Sequence, residues 1–294
     1  MTNERRIPSS RLGRLSQLGR LAGGMVGGMV SEGARQLASG KRPVLGDLLL
    51  TPSNARRLAE RLSEMRGAAM KIGQLLSMDS GQILPPQLSE ILTKLREDAH
   101  RMPLGQVAQV LDDSLGKQWK EAFKRFDFKP VAAASIGQVH RATLRDGREV
   151  AIKLQYPGIE RSIDSDIRNV GMLLKLSGML PDGIDLDPLL DEARHQLHHE
   201  ADYEHEAELL RRFHAHLEQD QRFTVPGVIG ELSSRRVLTM DYLHGKSIET
   251  IENLESAKRN DAARHLTELA FREVFDWGLV QTDPNFANYL YEHE

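Results

Sequence analysis

Residues 281–288 read QTDPNFAN, and this stretch does most to decide the fold. Asp283 and Asn288 stand five positions apart in a loop that contains a proline and follows a long helical pattern. At a phosphoryl-transfer site, an aspartate in such a loop accepts the proton of a hydroxyl, and an asparagine binds Mg²⁺. Asp, Pro and Asn are also ordinary turn residues. The spacing therefore indicates a phosphoryl-transfer site only in combination with the motifs that precede it.

The composition limits the class of protein. With 294 residues, the chain can bury a sizeable core in one large or two small domains. It contains no cysteine, which excludes disulfides and thiolate metal sites and fits a reducing compartment. No run approaches the ~18 apolar residues of a membrane-spanning helix, and no segment has the pattern of a cleaved signal peptide.

Charge is spread unevenly along the chain. Residues 1–42 carry eight basic and two acidic side chains, so their net charge is +6, whereas the whole chain carries −3 and the remainder −9. A basic arm on an acidic body predicts an anionic partner. Leu and Met residues at helical spacing in the arm favour an anionic membrane surface over nucleic acid, and we expect no nucleic-acid partner. A solvated flexible tail is the alternative.

Hydrophobic periodicity predicts an α+β fold. Thr51 is expected to be the N-cap, and Pro52 the first-turn proline, of a helix that runs to about Met78. One side of this helix carries an apolar stripe of Leu58, Leu62, Met65, Ala69, Ile72 and Leu76. Further helices are expected after Pro86 and after Pro103. A strand pattern with a hairpin turn at Asp146-Gly147 covers residues 126–155. Helices then cover residues 159–180 and a long stretch from Asp187, short strands cover 223–229 and 236–242, and a final helix covers 261–277.

Lys153 is the first candidate for chemistry. It ends the run Val150-Ala151-Ile152-Lys153, in which strand alternation places Ala151 and Lys153 on one face. A lysine among apolar strand residues is costly to bury without a partner. It could be an edge-strand lysine that deters aggregation. It could also be a lysine that holds nucleotide phosphates and pairs with a helix glutamate, as in protein kinases.

Glu200 is the candidate partner. Ala193, Leu197, Glu200 and Glu204 fall on one face of the long predicted helix, so that Glu200 continues an apolar stripe. A carboxylate at such a position needs a cation, and we expect Lys153 to supply it. The alternative is a glutamate at the edge of the helix that reaches solvent.

Two further motifs stand upstream. Lys71 and Gln74 share a helix face in Lys-Ile-Gly-Gln, and Gly73 between them allows close approach of another backbone. An alanine-rich turn precedes Lys153, where kinases place a glycine-rich loop over the phosphates. It is either a tight turn with small side chains or a modified nucleotide loop. Its residues are Ala132, Ala133, Ala134, Ser135, Ile136, Gly137, Gln138 and Val139.

Together these residues resemble the UbiB family of atypical protein-kinase-like proteins, which support coenzyme Q (ubiquinone) biosynthesis. The resemblance covers nearly the whole chain and is closest to the branch of the mitochondrial coenzyme Q kinase-like proteins and their bacterial relatives. The motifs that carry it are the KxGQ signature at Lys71 to Gln74, the alanine-rich loop at 132–139, Lys153, the ExD motif Glu200-Ala201-Asp202, Asp283 and Asn288.

The resemblance implies a kinase-like fold that binds ATP or ADP and Mg²⁺. Lys153, Ala151 and the alanine-rich loop would contact the nucleotide, and Glu200 would orient Lys153. Asp283 would position the nucleophile, and Asn288 would bind the metal. Lys71 and Gln74, with Glu200 and Asp202, would form a regulatory element over the cleft, which favours ATPase, small-molecule or lipid chemistry over protein phosphorylation.

The resemblance also implies a domain organisation and a location. We expect a basic arm at 1–45, a helical KxGQ extension at 46–120, an N-lobe at 121–243 and the start of a C-lobe at 244–294. Coenzyme Q enzymes or a lipid precursor are the expected partners. The expected location is the bacterial cytoplasm at the inner membrane or, alternatively, the matrix side of the mitochondrial inner membrane.

The family continues to an Asp-Phe-Gly motif whose Asp binds Mg²⁺, and the sequence stops at Glu294 before such a motif. We therefore expect a truncated, fragmentary or split form that turns over ATP poorly, with Trp277, Phe286 and Tyr289 exposed. Two other hypotheses stay open. One is a nucleotide-binding pseudokinase that acts as a scaffold, and the other is an ordinary small-molecule phosphotransferase.

Overall fold

The computed structural model describes residues 52–78, 86–97, 101–177, 185–281 and 286–292. The predicted basic arm lies outside these residues, as do the predicted N-cap Thr51 and the loop position Asp283.

A helical layer opens the described chain. It comprises α1 (Pro52–Glu64), α2 (Arg66–Met78) and α3 (Pro86–Glu97). The single helix predicted up to Met78 is interrupted at Met65, where the Met65 amide bonds the Leu62 carbonyl in a tight turn. The predicted apolar stripe is nonetheless buried on both sides of this turn, and it consists of Leu58, Leu62, Met65, Ala69, Ile72 and Leu76.

This stripe forms one apolar core with two later helices, α5 (Ile159–Ser177) and α6 (Asp187–Glu200). Helix α2 lies among them and packs against α3, α5 and α6. A side chain at Gly73 would collide with the Leu92 side chain, since an added Cβ would lie 2.5 Å from its Cδ1. Gly73 therefore admits a neighbouring side chain of α3, and the expected close approach of a backbone is wrong.

An antiparallel sheet follows. Its strands are β1 (Phe123–Phe126), β3 (Gly137–Leu144), β4 (Glu149–Gln155) and β5 (Val237–Asp241) in the order β1-β3-β4-β5, and the short β2 (Ala132–Ala133) pairs with the start of β3. The hairpin turn predicted between β3 and β4 is confirmed. Gly147 adopts φ +94°, a conformation that glycine reaches without the strain of a side chain.

The two faces of β4 have different surroundings. Val150, Ile152 and Leu154 are buried in a second apolar core with α4 (Leu104–Leu115). Alternation turns Lys153 to the opposite face. There its register partner on β5 is Leu238, which packs against the helix α7 (Tyr203–Leu217).

Two sequence predictions in this region are wrong. The long helix expected from Asp187 ends at Glu200, and α7 begins at Tyr203 after a bend. Asp202 causes this break because its carboxylate caps α7 by accepting from the His205 amide at 3.1 Å. Residues 223–229 do not form a strand, and only an isolated bridge joins Val228 to Met240.

The C-terminal segment consists of α8 (Ser256–Arg272), a π-helical turn (Glu273–Trp277) and a small ladder of β6 (Lys246–Ser247) with β7 (Leu290–Tyr291). Phe286 is exposed as predicted. Trp277 and Tyr289 are half-buried, so their predicted exposure is wrong. Trp277 stacks on His216 of α7 with 4.6 Å between ring centroids, and the Tyr289 hydroxyl donates to Gln281 Oε1 at 2.6 Å.

Among the helices that the structure describes, none is both long and apolar enough to cross a bilayer.

Candidate nucleotide site

Lys153 projects from β4 onto a carboxylate of α7. Its Nζ lies 2.8 Å from both carboxylate oxygens of Glu206, and it also lies 4.7 Å from the centroid of the Tyr203 ring. The side chains of Lys153 and Glu206 are 19% and 34% exposed. The lysine is thus partly desolvated, and both carboxylate oxygens of Glu206 hold its ammonium in a charge-assisted ion pair.

The expected pairing of Lys153 with Glu200 is therefore wrong. Glu200 is the last residue of α6, and the turn that follows redirects the chain before it reaches Glu206. The sequence does contain a signal for Glu206, because Asp202 precedes a first helical turn that holds Glu204 and Glu206. An aspartate N-cap followed by acidic residues is a recognisable helix start.

Glu200 instead joins two other motifs. Its Oε1 lies 2.5 Å from the Lys71 Nζ, and its Oε2 accepts a hydrogen bond from the Ser135 hydroxyl at 2.5 Å. Lys71 is only 3% exposed. The carboxylate therefore connects the helix of the Lys-Ile-Gly-Gln motif with the alanine-rich loop. Gln74 lies half-buried on the same helix.

The alanine-rich loop is a short hairpin pressed against α2. Ala132 and Ala133 pair with Val139 and Gln138 across β2 and β3. Ile136 at its tip is buried in the helical core. Gly67 of α2 allows the close contact, because a Cβ there would lie 3.0 Å from Ile136 Cγ2 and 3.2 Å from the Ser135 carbonyl oxygen.

A buried tyrosine contacts the lysine of one of these ion pairs. Tyr203 is fully buried, and its ring carries the Lys153 ammonium on one face. Burial raises the pKa of the Tyr203 phenol well above its ordinary value, and the negative charges of Glu206 and Glu200 raise it further. The phenol therefore stays neutral across the physiological pH range.

The predicted metal side of the site is described only in part. Asn288 is exposed on a short 3₁₀ turn (Phe286–Asn288) that leads into β7, and Asp283 lies outside the described residues. In the part of the chain that the structure describes, no three His, Cys, Asp or Glu side chains are grouped so that they could hold a metal ion. Asn288 alone is one oxygen ligand of the several that Mg²⁺ needs.

The residues on either side of that loop are tied to the helix before it. The backbone amide of Gln281 donates to the carboxylate of the buried Glu273 at 2.8 Å. The Tyr289 hydroxyl donates to the side-chain oxygen of Gln281. The Gln281 side chain thus connects Gln281 to Tyr289, which directly follows the turn that carries Asn288.

Comparison with known proteins identifies the family. Residues 94–294 match the model of the ABC1 atypical kinase-like domain, which is more than half of the chain. The chain belongs to this family. The resemblance to UbiB proteins and the α+β, protein-kinase-like fold predicted from the motifs are confirmed.

Several relatives of the ABC1 family are similar over almost the whole chain. The "Atypical kinase COQ8B, mitochondrial" of Danio rerio is 42% identical over 99% of the chain and 47% of its own length. The "Atypical kinase COQ8, mitochondrial" of Saccharomyces cerevisiae is 40% identical over 97% of the chain and 57% of its own length. The chain thus spans about half the length of these curated relatives.

A solved structure supports the same fold. It is described as the complex of Rv3197 with erythromycin from Mycobacterium tuberculosis, and it matches with a TM-score of 0.55 and 33% identity. The match covers 81% of this chain and 61% of the solved one.

Proposed function

We propose that this chain is the nucleotide-binding part of an atypical kinase-like ATPase or phosphotransferase that supports ubiquinone biosynthesis. The observation that carries the proposal is the Lys153–Glu206 pair on the sheet face next to the alanine-rich loop. Membership of the ABC1 family supports it, as do the atypical kinases among its relatives.

Each residue has a role in this proposal. Lys153 binds the α- and β-phosphates, and Glu206 orients its ammonium. Asp283 positions the hydroxyl or water that attacks. Asn288 is one ligand of Mg²⁺, which when bound neutralises charge on the phosphates. Ala151, which is largely buried beside Lys153 on the same face of β4, and the loop of residues 132–139 form the wall of the nucleotide cleft.

A scaffold without turnover is the second candidate. One observation favours it, because the Glu200 carboxylate contacts both Lys71 and Ser135 and so fastens the KxGQ helix to the loop over the cleft. A loop held in this way, with methyl groups in place of glycines, is poorly suited to close over a γ-phosphate. Partner binding that depends on nucleotide but proceeds without ATP hydrolysis would favour the scaffold over the enzyme.

The location follows from the relatives and from the charge of the arm. Relatives named as mitochondrial support the mitochondrial alternative, and the bacterial inner membrane stays a prediction. Residues 1–42, with their net charge of +6, are proposed to bind an anionic membrane surface. Coenzyme Q enzymes or a lipid precursor are proposed partners. The four-part division at residues 45, 120 and 243 is also retained as a proposal.

The central experiment measures the unfolding temperatures of the parent and of Lys153→Ala, each with and without Mg-ADP. We expect the parent to unfold at a higher temperature with nucleotide and the variant to show no such shift. Lys124→Ala is the matched control, because Lys124 is an exposed lysine on β1 of the same sheet. Equal nucleotide shifts in the parent and in Lys153→Ala would overturn the proposed function.

A further inference from the structure

Tyr203 contacts the lysine of the Lys153–Glu206 ion pair. It follows Asp202 as the first residue of α7, three positions after Glu200 and three before Glu206. Its side chain is fully buried, and the face of its ring lies 4.7 Å from Lys153 Nζ. A tyrosine at this position contacts the ammonium that the proposed function assigns to nucleotide phosphates.

The surroundings of Tyr203 fix its ring. Ala207 one turn along α7 and Leu238 on β5 form a small apolar cluster with it, and Val228 covers the edge of this cluster. On another side, the phenol oxygen lies 3.1 Å from the position that a Cβ at Gly137 would occupy. The same Cβ would lie only 2.2 Å from the Leu154 carbonyl oxygen, so glycine is required there. The ring is therefore confined by two strands and its own helix.

The hydroxyl contributes little to this arrangement. In the described part of the chain, the buried phenol oxygen of Tyr203 has no hydrogen-bond partner. The interaction that remains is the attraction between the Lys153 ammonium and the electron-rich ring face. A lysine side chain has four flexible methylenes, so a carboxylate alone leaves its ammonium free to move around that carboxylate. A rigid ring beneath the ammonium removes much of this freedom.

We propose that Tyr203 is a positioning residue that holds the Lys153 ammonium, through its ring face, in the place where nucleotide phosphates bind. The inference rests on the proposed nucleotide binding at Lys153. It assigns the function to the aromatic ring and none to the hydroxyl, and this distinction makes it testable.

The test compares Tyr203→Phe, which keeps the ring, with Tyr203→Leu, which removes it. The dissociation constant of ADP is measured by calorimetry at a temperature where every variant is folded. A cation–π contact of this kind predicts a loss of about tenfold in ADP affinity for Tyr203→Leu. Tyr203→Phe is expected to stay within about twofold of the parent, because the phenol oxygen has no partner to lose.

Leu238→Ala is the matched control for a packing defect. Leu238 belongs to the same small cluster and is fully buried, but it offers no ring to the ammonium. We expect Leu238→Ala to lower the unfolding temperature at least as much as Tyr203→Leu while it leaves the ADP affinity close to that of the parent. An affinity loss in Leu238→Ala equal to that in Tyr203→Leu would overturn the inference, since it would make Tyr203 a core residue only.

A nucleotide-free measurement completes the test. In protein NMR spectra, the ε-methylene protons of Lys153 should be shifted upfield by the ring in the parent and in Tyr203→Phe, and this shift should vanish in Tyr203→Leu. The absence of this shift in the parent would also overturn the inference.

The variant Lys153→Ala separates the failure of the proposed function from the failure of this inference. If it binds ADP normally, both fail, whereas if it does not bind and Tyr203→Leu binds as the parent does, only the role of Tyr203 fails.

Discussion

Lys153 pairs with Glu206, whereas Lys71 pairs with Glu200. We therefore expect opposite phenotypes for Glu206→Gln and Glu200→Gln. Each variant removes one negative charge and keeps one of the two side-chain oxygens as a hydrogen-bond acceptor. Glu206 contacts Lys153 at 2.8 Å, and Glu200 contacts the buried Lys71 at 2.5 Å. We therefore expect Glu206→Gln to weaken nucleotide binding and Glu200→Gln mainly to weaken the fold.

The size of the first effect follows from the geometry. Two unit charges at 2.8 Å attract by about 6 kcal/mol at an effective dielectric constant of 20. Both side chains are partly exposed, at 19% and 34%, so lost hydration and solvent screening cancel most of this attraction. A net effect of about 1–2 kcal/mol is left, which corresponds to roughly a 5- to 30-fold loss of ADP affinity when Lys153 is no longer oriented.

The second effect falls on stability. Lys71 is 4% exposed in its side chain, whereas Glu200 is 29% exposed, so the pair is buried at one end only. Breaking a fully buried pair costs about 3–5 kcal/mol, and the half-exposed carboxylate reduces this to about 2 kcal/mol. For a chain of this size we expect the unfolding temperature to fall by about 4–8 °C.

The two variants are assayed side by side by fluorescent-nucleotide titration and by thermal unfolding. The reasoning predicts weaker ADP binding with a nearly unchanged unfolding temperature for Glu206→Gln, and the reverse for Glu200→Gln. If Glu200→Gln loses more ADP affinity than Glu206→Gln does, the assignment of Glu206 as the partner of the nucleotide lysine is refuted.

Two further predictions concern acid stability and the membrane. Burial lowers the pKa of His140, whose Nδ1 donates to the Asp127 carbonyl at 3.0 Å. Between this lowered pKa and the ordinary value of 6.5, the unfolded chain therefore binds a proton that the folded chain does not. The free energy of unfolding should then fall by at most about 1.4 kcal/mol for each pH unit of acidification. Urea unfolding at pH 7.5 and 5.5 should show a smaller drop in this free energy for His140→Asn than for the parent, and an equal drop would contradict His140 as the cause. Deletion of residues 1–42 should lower sedimentation with anionic liposomes, most clearly at low salt, and undiminished binding would show that the arm is not the anchor.

The sequence predicted local features better than long-range contacts. The apolar stripe through Leu58 and Ile72 and the turn at Gly147 follow from periodicity and turn chemistry, and both are confirmed. The strand predicted at residues 223–229 does not form, because Pro226 and Gly227 interrupt it and the Gly227 backbone amide donates to the Asp241 side chain. The contact of Ser135 with Glu200 joins residues 65 positions apart, and no local pattern encodes it.

The turn after Glu200 explains why the site needs two helices in place of one. In a continuous helix, residues 200 and 206 would differ by about 240° around the axis and by about 9 Å along it, so that they would face different directions from a single rod. The break at Ala201 and Asp202 ends α6, and α7 begins as a separate helix that packs against β5. Glu200 then stays with Lys71 in the helical layer, and Glu206 reaches Lys153 on β4. Asp202, the last residue of the ExD motif, caps α7 and so separates the carboxylates of Glu200 and Glu206, each of which contacts a different lysine. Asp202 therefore has a structural role that does not depend on any chemical role.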